Sequence, residues 1–157
     1  QYPEKLIPLM ITNALDSEPL PVYGQGSNVR DWIHVTDHCK GLIAALENGS
    51  HGRIYNLGGD SEQTNLKVVQ MILGLLGKPE SSIRFVSDRP GHDARYSLDF
   101  QRAQTELDWK PVVGFEQGLR DTVAWYVENR DWWESIKSGS YRQFYSNQYG
   151  SRLEDLK

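Results

Sequence analysis

No stretch of this chain keeps one hydrophobic period for long, and that alternation limits its possible folds more than any other feature. Short runs at Val22-Tyr23, Val29–Val35, Ile54–Leu57 and Ile83–Val86 read as strands. Between them lie stripes at helical spacing: Leu9, Met10 and Ala14; Cys39, Leu42, Ile43 and Leu46; Leu66, Val69, Leu73 and Leu76; Leu119, Val123 and Val127. Punctuation supports the division. Pro8 suits the first residue of a helix, where its missing N–H costs nothing, which leaves Lys5 and Leu6 in an extended lead-in. Thr36 or Asp37 caps the second helix and Gly49 stops it; Thr64 caps the third, with Gly77 and Pro79 closing it. Gly58-Gly59 ends the Ile54 strand, Asp99 caps a short helix through Leu107, and Phe115–Asn129 forms the last clear helix. From Ser135 the tail is polar and rich in tyrosine, and it is expected to hug the surface.

Strands interleaved with helices predict an α/β class. The strands are too short and irregularly spaced for a complete doubly wound sheet, so the expectation is a small mixed α/β domain. At 157 residues the chain can bury one core, and no repeat, linker or low-complexity tract divides it.

Composition removes several function classes. No apolar run approaches the roughly 20 residues of a membrane helix, and no charged-then-apolar leader opens the chain. A formal net charge of −4 gives no overall field to attract nucleic acid or a membrane surface, so neither is an expected partner. The one cysteine, Cys39, forbids an internal disulfide. His34 and His38 are four apart but straddle a strand-to-helix junction without a third ligand, so no metal site is expected. Together these features place the chain in the cytoplasm.

Catalytic motifs are missing too. Gly24-Gln25-Gly26 lacks the third glycine of a dinucleotide-binding turn, and Gly74 and Gly77 belong to the end of a helix. No tyrosine has a lysine four residues on, and no Ser/His/Asp set or phosphate loop is visible. The opening Gln1-Tyr2-Pro3-Glu4-Lys5 reads as mid-domain sequence, so a fragment without turnover of its own is expected.

The basic residues Lys5, Arg30 and Arg89 lie at element edges beside proline, glycine or aromatic neighbours. A diphosphate spreads charge over several oxygens that a guanidinium fork can meet, although from charge alone solvated or ion-paired side chains, with Arg30 bridging to Asp31, are the simpler explanation. Pro21-Val22-Tyr23 offers an apolar ledge ending in a ring that could stack a base, or else a strand whose tyrosine packs on the core. Asn56 could bond a ligand or cap a turn. Asp88-Arg89-Pro90-Gly91-His92-Asp93 is the most unusual stretch, because two carboxylates, an arginine and a histidine seldom serve packing. Trp132-Trp133 and Tyr141, Tyr145 and Tyr149 read as packing and interface residues.

Pro3-Glu4-Lys5-Leu6-Ile7-Pro8, Leu20-Pro21-Val22-Tyr23-Gly24, Asn28-Val29-Arg30-Asp31-Trp32, Tyr55-Asn56-Leu57-Gly58-Gly59 and Asp88–Asp93 followed by Arg95-Tyr96 occur in that order. Together they resemble the C-terminal, substrate-binding half of the dTDP-glucose 4,6-dehydratases, a branch of the extended short-chain dehydrogenase/reductase family. The tail Lys137-Ser138-Gly139 with its spaced tyrosines agrees. The resemblance implies a nucleotide-sugar-binding domain over residues 1–157, with the N-terminal NAD-binding Rossmann half missing. Lys5 and Leu6 would line the nucleotide site; Pro21, Val22 and Tyr23 would hold thymine; Arg30 and Arg89 would grip the diphosphate. Asn56, with Asp88, Pro90, Gly91 and His92, would complete the pocket.

The implied parent reaction uses NAD to take hydride from sugar C4, loses water across C5 and C6, and returns hydride to C6. The implied parent is a homodimer of deoxysugar biosynthesis, dTDP-rhamnose included, joined largely through helices of the missing half. An isolated fragment would leave apolar surface bare near Asn56. Alternatives are a fragment of another nucleotide-sugar epimerase or decarboxylase, and a non-catalytic nucleotide-sugar-binding module.

Overall fold

A computed structural model of the chain describes residues 3–137 and 139–154. The middle residue of Lys137-Ser138-Gly139, like Gln1 and Tyr2, lies outside the described residues. In chain order the elements are α1 (Leu6–Asp16), β1 (Leu20–Tyr23), β2 (Val29–Asp31), α2 (Val35–Asn48), β3 (Glu62–Thr64) and α3 (Asn65–Leu76). A 3-10 turn at Glu80–Ser82 leads to β4 (Ile83–Val86), β5 (Arg95–Tyr96), α4 (Gln101–Leu107), α5 (Phe115–Glu128), α6 (Arg130–Lys137) and α7 (Ser140–Glu154). This is a mixed α/β fold, as the alternating periods predict. The chain divides into two compact units, the first built from segments up to Ser27, Thr64–His92 and from Arg120 onward, the second from Asn28–Gln63 and Asp93–Leu119.

The first unit packs α1 and α3 together beside a two-stranded parallel sheet, β1 with β4, in the register Leu20↔Ile83 to Tyr23↔Val86. Its core joins Leu9, Met10 and Ile11 of α1, Leu20 and Val22 of β1, and Val68, Val69, Ile72 and Leu73 of α3. The start of α3 follows from its cap: Thr64 Oγ1 accepts the Lys67 N–H at 3.2 Å, and Gly77 ends the helix at φ 63°. Gly26, at φ 68°, lies so close to α3 that an added Cβ would stand 2.8 Å from Val22 Cγ1 and 2.9 Å from Leu66 Cβ. Only glycine fits there.

The second unit carries the sheet β3-β2-β5, in which β2 and β5 are parallel. Ala103, Leu107 and Trp109 form its core, with Ile33, Ala44, Ala45, Tyr55, Leu57 and Phe100 packed around them. Asp37 is buried here rather than capping: its Oδ2 accepts the Val112 and Val113 N–H groups at 2.8 and 2.7 Å. Asp31 likewise holds the Gly59 and Ser61 N–H groups, each at 2.8 Å. An added Cβ on Gly59 would fall 1.9 Å from the Trp32 carbonyl oxygen and one on Gly58 2.5 Å from the Leu98 carbonyl oxygen, which explains the paired glycines.

Several expectations are corrected. α1 starts at Leu6, with Lys5 as its extended N-cap and Pro8 inside the first turn, where N–H groups have no intrahelical acceptor anyway. β2 stops at Asp31, and His34, whose ring accepts the Thr36 N–H, caps α2 in place of Thr36 or Asp37. Ile54–Leu57 forms no strand and pairs with none of the described strands. In α2 it is Gly41, Ala44 and Ala45 that face the core, against Leu57 and Trp109, while Val35, Cys39, Leu42, Ile43 and Leu46 are exposed. On α5, Tyr126 is buried and Val127 half exposed, a shift of one position around the helix. The tail is two helices rather than a surface strap: Trp133, Tyr141 and Tyr149 are buried. Asp99 reaches the Gln101 N–H at 2.8 Å from just before α4, close to its expected role.

Candidate functional site

In the first unit, β1 delivers Tyr23 to a cluster of expected and unexpected residues. Pro21 and Val22 are buried in the strand, while Tyr23 keeps part of its ring exposed. The His92 ring meets Tyr23 edge-on, with centroids 5.9 Å apart at 78°. Gly24, at φ 55°, bends the chain away so closely that an added Cβ would lie 3.3 Å from Asp88 Oδ2. Tyr23, Asp88 and His92 therefore belong to one place.

The Asp88–His92 loop is held by its own carboxylate. Asp88 Oδ1 accepts the Arg89 N–H at 2.8 Å and lies 2.6 Å from His92 Nδ1. The His92 hydrogen bond holds the Asp88 carboxyl below its ordinary value of 3.8, with desolvation opposing it and the Arg89 N–H assisting. An ionised carboxylate only accepts, so Nδ1 carries the proton and Nε2 points elsewhere. The side chain of His92 is buried, whereas Arg89, Pro90 and Gly91 are exposed and the Arg89 guanidinium makes no hydrogen bond to a described residue. Lys5 pairs with Glu4 at 3.0 Å, and Leu6 is half-buried beside it in the chain.

Three residues of α7 join Tyr23 without having been singled out for this role. Gln148 Nε2 donates to the Tyr23 hydroxyl at 2.6 Å, the Arg152 guanidinium lies 5.4 Å from the ring centroid, and Tyr149 stands 6.0 Å away. Burial pushes the Tyr149 phenol strongly up from its ordinary value, so it stays protonated. The spacing of Tyr141, Tyr145 and Tyr149 by four was the available signal for a helix with one aromatic face. A cleft of about 680 Å³ opens elsewhere in this unit, between Asp16, Trp133, Lys137 and Tyr145; Asp16 there is already paired with Arg130 at 2.7 Å and Lys137 at 2.8 Å.

The second unit holds Arg30 and Asn56. Arg30 does not bridge to Asp31. Its Nη1 donates to the Val29 carbonyl at 2.6 Å, its Nη2 to the Asp93 carbonyl at 2.8 Å, and its guanidinium lies 4.5 Å above the Tyr96 ring. Asn28 Nδ2 donates to the same Asp93 carbonyl at 3.0 Å, fixing the end of the loop. Asn56 is exposed and donates to the Asp99 carbonyl at 3.3 Å. Within β5, Arg95 Nε donates to Glu62 at 2.9 Å; the Arg95 contact lowers the Glu62 carboxyl, and Glu62 in turn raises Arg95.

Among the described residues no group of three or more His, Cys, Asp or Glu side chains is placed to hold a metal ion. No described helix is long and apolar enough to cross a membrane.

A family profile described as GDP-mannose 4,6 dehydratase matches residues 1–122. A dTDP-glucose 4,6-dehydratase of Xanthomonas campestris pv. campestris is 51% identical over 150 residues, covering 90% of this chain and 43% of that protein. The dTDP-glucose 4,6-dehydratase structure from Bacillus anthracis in complex with NAD matches with a TM-score of 0.83 and 52% identity, over 87% of this chain and 43% of that one. A double mutant of the Streptomyces venezuelae enzyme, with NAD bound, gives 0.85 and 52%, over 87% and 42%. The chain thus spans less than half the length of these relatives, and its small mixed α/β fold matches part of an extended short-chain dehydrogenase/reductase dehydratase. The chain belongs to the GDP-mannose 4,6 dehydratase family, and the members it resembles are dTDP-glucose 4,6-dehydratases.

Proposed function

We propose that residues 1–157 form the nucleotide-sugar-binding domain of a dTDP-glucose 4,6-dehydratase, a lyase that converts dTDP-glucose to dTDP-4-keto-6-deoxyglucose with tightly bound NAD. The observation that carries this reading is the agreement of ordered motifs with a 52% identical solved relative at TM-score 0.85. Tyr23 and the β1 main chain at Pro21 and Val22 hold the thymine, and Lys5 and Leu6 line the nucleotide site. Arg30 and Arg89 bind the diphosphate, while Asn56 and the Asp88–His92 loop, with Pro90 and Gly91 shaping its turn, complete the pocket. What supports this part of the reading is that Tyr23, Asp88 and His92 lie together in the first unit.

The residues of this chain do not fit NAD. The Gly24–Gly26 turn is filled by Val22 and Leu66, and Gly77 is a helix C-cap, so no glycine-rich turn is open to a pyrophosphate. We assign the cofactor to an N-terminal Rossmann half, with this chain inactive alone. The exposed row Val35, Leu42, Ile43 and Leu46, with Ile54 at 76% exposure, suits burial against that half. The whole protein is then a cytoplasmic homodimer of deoxysugar biosynthesis, dTDP-rhamnose formation being one route it serves.

The test is incubation of the full-length protein with dTDP-glucose, UDP-glucose, UDP-glucuronate and GDP-mannose, followed by chromatography and mass spectrometry of the sugar nucleotides. Loss of one water from dTDP-glucose alone is expected. Conversion of a UDP- or GDP-sugar to an isomer of unchanged mass would move the reading to an epimerase, loss of carbon dioxide from UDP-glucuronate would move it to a decarboxylase, and inertness toward all four would leave a binding module.

A further inference from the structure

Arg30 and Tyr96 are register partners on the neighbouring parallel strands β2 and β5. Residues paired in this way project from the same face of a sheet, so the 4.5 Å stack of guanidinium on ring follows from strand register. The two main-chain carbonyls of Val29 and Asp93 hold the guanidinium from its edge. A guanidinium carries five N–H donors in one plane, so three remain uncommitted among the described residues. Tyr96 is itself 54% exposed, and its hydroxyl makes no hydrogen bond to a described residue. An aromatic ring left half in water on a two-residue strand contributes little to a core. Among the described residues its ring meets the Arg30 guanidinium above it.

We propose that Tyr96 is a positioning residue for Arg30, holding the guanidinium flat so that its remaining donors present a preset plane to the oxygens of a diphosphate. The inference rests on the reading of Arg30 as a diphosphate ligand. The physical reason is preorganisation. A free arginine side chain loses rotamer freedom when it binds an anion, and one already stacked and anchored has lost it beforehand. The ring supplies this through its face, not its hydroxyl. Phenylalanine should therefore substitute for Tyr96, and an aliphatic residue should not.

The experiment is calorimetric binding of dTDP and of thymidine to the full-length protein, in wild type, Tyr96→Phe, Tyr96→Leu, Arg30→Met and the Tyr96→Leu/Arg30→Met pair. Tyr96→Phe should stay within about twofold of wild type, and Tyr96→Leu should bind dTDP roughly three- to thirtyfold more weakly. Thymidine, which lacks the phosphates, should bind Tyr96→Leu as it binds wild type. Tyr96→Leu should add nothing in the Arg30→Met background. Should Tyr96→Leu fail to fold, Tyr96→Gln replaces it under the same criteria. The inference is overturned by an aliphatic variant that binds dTDP normally, by an equal loss for thymidine, or by a Phe variant as weak as Leu. In those cases a weakened Arg30→Met still upholds the diphosphate reading. Wild-type dTDP affinity in Arg30→Met removes that reading and this inference together.

Discussion

Asp31, Asp37 and Asp88 are three carboxylates with different work. Both oxygens of Asp31 hold main-chain N–H groups of the turn after Leu57, and one oxygen of Asp37 holds two more. A hydrogen bond to a charged acceptor contributes about 1.5–3 kcal/mol, so Asp31→Ala should lower the stability of the full-length protein by about 2–3 kcal/mol in urea denaturation. An unchanged midpoint would show that the turn holds itself. Asp88 is exposed, and its Oδ1 meets both the His92 ring and the Arg89 N–H. Because the folded carboxyl lies below its unfolded value of 3.8, the stabilisation is complete above that pH and disappears as pH falls through the lowered folded value. Titration of the Asp88 carboxyl by NMR should place its midpoint below 3.8 in the wild type and at a higher pH in His92→Ala than in the wild type. Equal midpoints would contradict the assigned contact.

At the scale of elements, the helix ends and close approaches carry the most exposed consequences. Thr64→Ala removes the cap of α3 and should cost about 1 kcal/mol. Gly26→Ala pushes a methyl into Val22 and Leu66 at a left-handed φ and should cost more, about 2–3 kcal/mol. Chemical denaturation ranks the two, and a milder effect at Gly26 than at Thr64 would contradict the packing described. These are also the places where the amino-acid sequence spoke clearly. Thr64, Gly77, and the Val22-Tyr23 and Ile83–Val86 runs each contain their own signal, because caps and short β-branched or aromatic runs are decided by local residues. The row Leu42, Ile43 and Leu46 has the period of a helix, but periodicity says only that one face is apolar, not what lies against it. Gly41, Ala44 and Ala45 occupy the core face because Trp109 and Leu57 need the room. The Ile54–Leu57 run has strand composition but no described strand to pair with, and α7 hides its aromatic face among polar residues. Of the candidate site, Tyr23, Asp88 and His92 were legible as unusual residues; Tyr96 beneath Arg30 was not, since a two-residue strand leaves no pattern to read.

At the scale of the whole molecule, a chain matching 43% of its relatives' length presents an apolar row on α2 that a free surface rarely carries. Leu42→Asp with Leu46→Asp should therefore lower the stability of the full-length protein and weaken its retention of NAD, while making residues 1–157 alone more soluble. An unperturbed full-length protein would show that the row faces water in the finished molecule. The central claim, that these residues recognise the diphosphate and base of a dTDP-sugar, is tested most directly by titrating the full-length protein with dTDP, UDP and GDP. The prediction is tightest binding of dTDP, weakened about 10- to 100-fold by either Arg30→Met or Arg89→Met. Equal affinity for all three nucleotides, together with full dTDP affinity in both arginine variants, would contradict it.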